Sequence, residues 1–167
     1  GLFWLHLGKE NRAARIGLMR WSRLSLMQTV GLAIGLIALG LAFNHVYANY
    51  VIPDIKVQEA LRKMFAALPD TPLNAVMLFV AIAGIAPLLE EILFRGLVQN
   101  ALAKRLPAWG AILGASAIFG AVHMDYHAFP ALMAMGAVFG ILYHKTGSLR
   151  VNILAHALNN AAALLLT

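Results

Sequence analysis

The sequence predicts an all-α protein, a polytopic transmembrane helical bundle of about five spans accompanied by interfacial helices. Three observations carry that expectation. Of 167 residues, 61% are hydrophobic and 12% charged, against roughly 45–50% and about 25% in soluble domains. Uncharged stretches of membrane-crossing or nearly membrane-crossing length recur along the chain. The basic residues gather on one side of these stretches: Lys9, Arg12, Arg15, Arg20 and Arg23 precede the first, and Lys104, Arg105, Lys145 and Arg150 lie in short connections between later ones. This positive-inside distribution explains the formal net charge of +6 by orientation in a bilayer, so the lipid bilayer is an expected partner and nucleic acid is not. With no cysteine, thiol chemistry and disulfides are excluded.

Residues 1–23 mix Trp4, Leu5, Leu7, Ile16, Leu18, Met19 and Trp21 with the five basic side chains, which suits a cytoplasmic segment lying in the headgroup region. Residues 24–167 are expected to form a single transmembrane bundle. Leu24 to Phe43 is a run of 20 uncharged residues, the length that a hydrocarbon core of about 30 Å requires at about 1.5 Å per residue. Residues 44–72 carry charges of both signs, and Val57, Leu61, Met64, Phe65 and Leu68 repeat at helical spacing, as in a surface helix on the far side. Asp70-Thr71-Pro72 combines a capping side chain with proline in the first turn, so a long helix is expected from Leu73 to about Ala103. A basic turn at Lys104–Pro107, an apolar stretch over 108–124, a turn at Asp125–His127, an apolar stretch over 128–143, a Gly-containing turn over 144–150 and a last span over 151–167 complete the bundle. The pairs Gly31/Gly35, Gly110/Gly114 and Gly136/Gly140 suit close helix packing. The chain begins at Gly1 and shows no signal peptide, as expected of a fragment of a longer protein.

Of the charged residues, Glu90, Glu91 and Arg95 alone fall inside an expected span. A charge at the centre of a membrane helix costs about 2.5–3.5 kcal/mol on insertion scales, so three within six residues need a reason. Glu91 and Arg95 are four apart with Glu first, the favourable order for an ion pair on one helix face. Glu90 is about 140° away from Arg95 around the helix and cannot share that guanidinium without distortion. Glu90 is therefore the carboxylate left for chemistry, with Glu91 and Arg95 organising it. The competing reading is a charge cluster that merely staples helices together.

Phe119 and His123 are four apart, as are His156 and Asn160. If the spans flanking Lys104–Pro107 form a hairpin, Glu90 and His123 stand equally far from its turn and hence at equal depth. By the same count His156 falls roughly 10 Å nearer the basic side. A buried carboxylate with a histidine opposite can activate water, and a second His with an Asn can donate hydrogen bonds to an oxyanion. The parts suit amide hydrolysis without a nucleophilic serine. The alternative chemistry is a metal-dependent hydrolase in which Glu90, His123 and His156 hold a divalent ion such as zinc, although no His-Glu-x-x-His helix exists. A proton-coupled carrier and a non-catalytic scaffold are the readings from other classes.

Glu90-Glu91-Ile92-Leu93-Phe94-Arg95-Gly96, Phe119-Gly120-Ala121-Val122-His123 and His156-Ala157-Leu158-Asn159-Asn160 resemble, in order, the three motifs of the CAAX-protease and bacteriocin-processing family of intramembrane glutamate proteases, in its bacterial branch. Thr146-Gly147-Ser148-Leu149 is also similar to that branch, and the likeness spans residues 73–167. The resemblance implies an integral protein of the bacterial inner membrane whose Glu90 activates water with help from His123. It implies that His156 and Asn160 stabilise the oxyanion and that Glu91 and Arg95 organise the site, and it carries the label of a metalloprotease; the residues themselves add Phe119 to the organising set and call for no cofactor. The expected substrate is a membrane-associated protein or peptide; the family's links to bacteriocin maturation and self-immunity are a further implication. Family members commonly have more than five spans, and nothing in this chain speaks for a prenylated substrate.

Overall fold

The computed structural model describes residues 17, 18, 22–53, 63 and 66–166. The interfacial segment expected over 1–23 and the surface helix expected around 57–68 lie largely outside these residues. Every regular element among the described residues is helical. A capping box starts the first helix: the Ser25 hydroxyl accepts from the Gln28 amide, and the Gln28 side chain accepts from the Ser25 amide. This helix, α1 (Leu26–Val51), ends in a π-helical turn over Tyr47–Val51 and outruns the expected boundary at Phe43. Thr71 caps α2 (Pro72–Leu102), and Pro72 occupies its first turn. Two π-helical segments, Val80–Ile85 and Ile92–Gln99, flank the short α-helical stretch Ala86–Glu91.

α3 (Ala108–Ala121), α4 (Phe129–Thr146) and α5 (Leu149–Leu166) follow. Between α3 and α4 the Asp125 carboxylate accepts from the His127 and Ala128 amides and so prepares the start of α4. The turn between α4 and α5 is shorter than the sequence suggests, because His144 and Lys145 belong to the last turn of α4. Gly147 ends that helix with φ +65°, a left-handed conformation that glycine adopts without strain.

α4 is the hub, packing on α3, α1 and α5, while α5 also lies along α2. Met135, Val138, Phe139 and Leu142 of α4 form the core with Ala155 of α5, and Leu32, Ala33, Leu36 and Ile37 of α1 close over it. Gly136 and Gly140 act as the packing pair expected: a Cβ on Gly136 would stand 3.1 Å from Ser116 Cα, and one on Gly140 3.0 Å from Ile112. Gly31 and Gly35 do not, since among the described residues nothing lies within 4 Å of a Cβ added to either.

α1 and α2 are long and apolar enough to cross a membrane, and most of their residues face outward. Leu26, Ile34, Leu39, Leu73, Val76 and Leu89 are each more than half exposed, which water would penalise and hydrocarbon does not. The chain is a helical membrane protein. α3, with 14 residues, reaches only about 21 Å, short of a hydrocarbon core of about 30 Å.

Candidate active site

The carboxylates separate as the 100° step of a helix requires. Glu91 is wholly buried, and three donors reach it: Arg95 Nη1 at 3.0 Å and His156 Nδ1 at 2.9 Å on Oε1, and Asn152 Nδ2 at 3.1 Å on Oε2. Glu90 retains 28% of its side-chain exposure, and its Oε2 lies 3.7 Å from His156 Nε2. His156 therefore bridges the pair, donating Nδ1–H to Glu91 and turning its other nitrogen to Glu90.

Arg95 is 1% exposed yet fully engaged. Its Nη2 donates to the Gly136 carbonyl at 2.8 Å, and its guanidinium lies between the rings of Phe119 and Phe139, 5.1 and 5.5 Å from their centroids. Charge-assisted hydrogen bonds and two aromatic faces compensate the cation for its lost water. Phe119 is the steric centre of the cluster: Phe94 meets it edge-on at 5.0 Å, and His123 and His156 pack on it at 4.9 and 6.3 Å. Phe139 carries the His156 ring stacked at 4.4 Å.

His156 thus stands level with the glutamates, against the expectation that it lies nearer the basic side. The α4–α5 turn is recessed into the bundle. Thr146, Ser148 and Leu149 are wholly buried, and Gly17, Leu18 and Arg23 lie against this turn, with the Arg23 amide donating to Thr146 O and the Leu149 amide to Gly17 O. Leu149 consequently packs beside Gly96 of α2, whose added Cβ would lie 3.3 Å from the leucine methyl. Six residues from Gly96 back to Glu90 then match seven from Leu149 forward to His156.

His123 sits one turn beyond the end of α3 and is exposed. Its Nδ1 is 2.7 Å from the Phe119 carbonyl, which can only accept, so Nδ1 carries the proton and a neutral ring keeps its Nε2 lone pair. The ring lies within electrostatic range of Glu90, although no hydrogen bond joins them among the described residues. Asn160 donates from Nδ2 to the Ile82 carbonyl at 3.1 Å. That acceptor is vacant for a reason: in the π-helical register Ala86 N–H bonds Ala81 O, and the next donor would be Pro87, which has none. Asn160 fills the vacancy and fixes α5 to α2 one turn from His156.

Two polar contributors escaped the sequence reading. Asn152 is wholly buried and donates both to Glu91 and, at 2.7 Å, to the Phe139 carbonyl. Its signal was present, since Asn152, His156 and Asn160 form one four-residue ladder. Gln99 extends the Glu91–Arg95 ladder and donates to Gly140 O at 3.1 Å. Among the described residues no group of three or more His, Asp or Glu side chains could hold a metal ion, so Glu90, His123 and His156 do not converge as a ligand set.

Residues 72–162 match the profile of the type II CAAX prenyl endopeptidase Rce1-like family. The chain is similar, at 38% identity over 89 residues, to the Bacillus subtilis (strain 168) protein named "Putative membrane peptidase YdiL"; that alignment covers 53% of this chain and 36% of the relative. It is also 32% identical over 104 residues to an uncharacterized 24.3 kDa protein of Escherichia coli, covering 58% of this chain and 46% of that one. The chain spans less than half the length of these curated relatives. No solved structure matches it.

Proposed function

The chain belongs to the type II CAAX prenyl endopeptidase Rce1-like family, and from that premise we propose that it is an intramembrane endopeptidase that cleaves a membrane-associated protein or peptide, with Glu90 activating water. One observation carries the assignment. Of two adjacent carboxylates, Glu91 is saturated by three donors, whereas Glu90 faces a single histidine at 3.7 Å and remains partly open. A group that must take up a proton needs a lone pair not already committed.

In the proposed reaction Glu90 removes a proton from water as the oxygen attacks the scissile carbonyl. His123, with Nε2 able to accept, helps to hold and polarise that water. The carbonyl electrons move onto oxygen, and the C–N bond breaks as Glu90 returns the proton to the leaving nitrogen. His156 and Asn160 are the proposed oxyanion donors. Because Nδ1–H of His156 is committed to Glu91, that role requires a second proton on Nε2. In that state Glu90 and Glu91 balance Arg95 and His156, and the buried cluster is electrically neutral. For Asn160 the second amide hydrogen is the one available, the first being given to Ile82 O. No step is routed through a metal.

The proposed setting is the bacterial inner membrane with the N-terminus cytoplasmic and five spans, of which α3 is the shortest. New peptide termini in membranes expressing wild type, Glu90→Gln or His123→Ala at matched levels test the reading, each with and without a divalent chelator. Cleavages confined to wild type and indifferent to chelator are expected. Identical termini in all three would refute proteolysis at this site, and chelator-sensitive cleavage would replace the metal-free mechanism.

A further inference from the structure

A second polar site lies at the basic end of the bundle, beyond the glutamate cluster. A cavity of about 410 Å³ opens there between the end of α2, the start of α3 and the end of α4, and Arg23, Gln99, Asn100, Tyr143 and His144 supply its polar lining. None of Glu90, Glu91, His123, His156 and Asn160 touches it, and the Gln99–Gly140 hydrogen bond lies between the two sites.

Its charge is one-sided. Lys104 and Arg105 stand in the adjacent connection and Lys145 on the last turn of α4. The described acidic residues are elsewhere: Asp70 precedes α2 at its other end, Asp125 lies in the α3–α4 turn, and Glu90 and Glu91 belong to the buried cluster. Arg23 leans over Gly147, where an added Cβ would come within 2.5 Å of its Nε, and among the described residues no carboxylate pairs with its guanidinium. Asn100 Nδ2 donates to the Tyr143 hydroxyl at 2.9 Å, which fixes one wall. On the inner wall Gln99 is 5% exposed, and its Oε1, closed to water, has no partner among the described residues.

A guanidinium and an imidazole on a cavity with no carboxylate in its lining match a phosphate ester. We infer that this cavity binds the phosphate head group of an anionic membrane phospholipid, with the phosphate on Arg23 and His144. The position favours a lipid source, since a basic pocket between spans at the positive end of a membrane protein faces anionic headgroups. Free phosphate esters share the recognition chemistry.

The test uses the full chain in neutral detergent and follows thermal unfolding during titration with phosphatidylglycerol, phosphatidylcholine or glycerol phosphate. Phosphatidylglycerol should raise the midpoint more than phosphatidylcholine does. The half-saturating concentration should rise at least threefold in Arg23→Gln and in Ala103→Leu, which fills the cavity without changing charge. Lys145→Gln, outside the lining, should raise it less than Arg23→Gln does. An equal response to glycerol phosphate would keep the phosphate site and overturn the lipid assignment. Wild-type titration in Ala103→Leu, or equal stabilisation by both lipids, would overturn the site itself, even if Arg23→Gln failed to fold.

Discussion

Replacing each glutamate of the pair by glutamine should separate chemistry from architecture. Glu91→Gln removes the charge opposite Arg95, which is 1% exposed, and offers one oxygen and one NH2 to three donors that now share two oxygens. At least one of Arg95, His156 and Asn152 must then face a donor. Removing one partner of a buried pair costs about 3–5 kcal/mol, and the two aromatic faces on Arg95 keep the loss from the upper end. Glu90→Gln deletes a partly exposed carboxylate whose nearest basic nitrogen, His156 Nε2, lies 3.7 Å away, so its cost is about 1 kcal/mol or less. Its effect on cleavage should be about 100- to 10,000-fold, the contribution of a general base. Unfolding in mixed detergent, read by tryptophan fluorescence, gives the stabilities, and peptide cleavage gives the rates. If both variants unfolded alike, or Glu90→Gln were the less stable, the division of labour between the carboxylates would be wrong.

Three further substitutions probe the supports of the site. Asn152→Ala removes the hydrogen bonds to Glu91 and Phe139 O but also a buried Oδ1 that has no partner, so a net loss of about 1–3 kcal/mol is expected in denaturant unfolding, with cleavage reduced in parallel. Asn160→Leu should strand the Ile82 carbonyl and cost about 1–3 kcal/mol even in the inactive Glu90→Gln background; unchanged stability there would limit Asn160 to the reaction itself. Gly136→Val should destabilise by about 1–3 kcal/mol through collision with Ser116 and Phe119, whereas Gly35→Val, with open space around it, should leave the unfolding midpoint unmoved.

The Glu91–Arg95 pair, and the exclusion of Glu90 from it, were legible because both follow from the angular step of one helix. The start of α2 was legible from Thr71-Pro72 for the same kind of local reason. His156's depth was not, because counting from a turn assumes that the turn lies at the bundle surface, and this one is buried, with Gly17, Leu18 and Arg23 against it. Asn160's bond to Ile82 was equally hidden: it depends on a π-helical register that makes Pro87 the missing donor, and the sequence shows the proline without showing the register.

By itself, then, the sequence determined the helical membrane class, the family and the Glu91–Arg95 pair, since apolar length, charge placement and i, i+4 spacing act within single helices. The tertiary structure decided that α3 is short, that His123 sits exposed past its end, that Asn152 completes the cradle of Glu91 and that Gly136, not Gly31 or Gly35, admits a neighbour. Each of those depends on how one helix meets another, and depth, rotation and crossing are settled by packing among segments far apart in the chain.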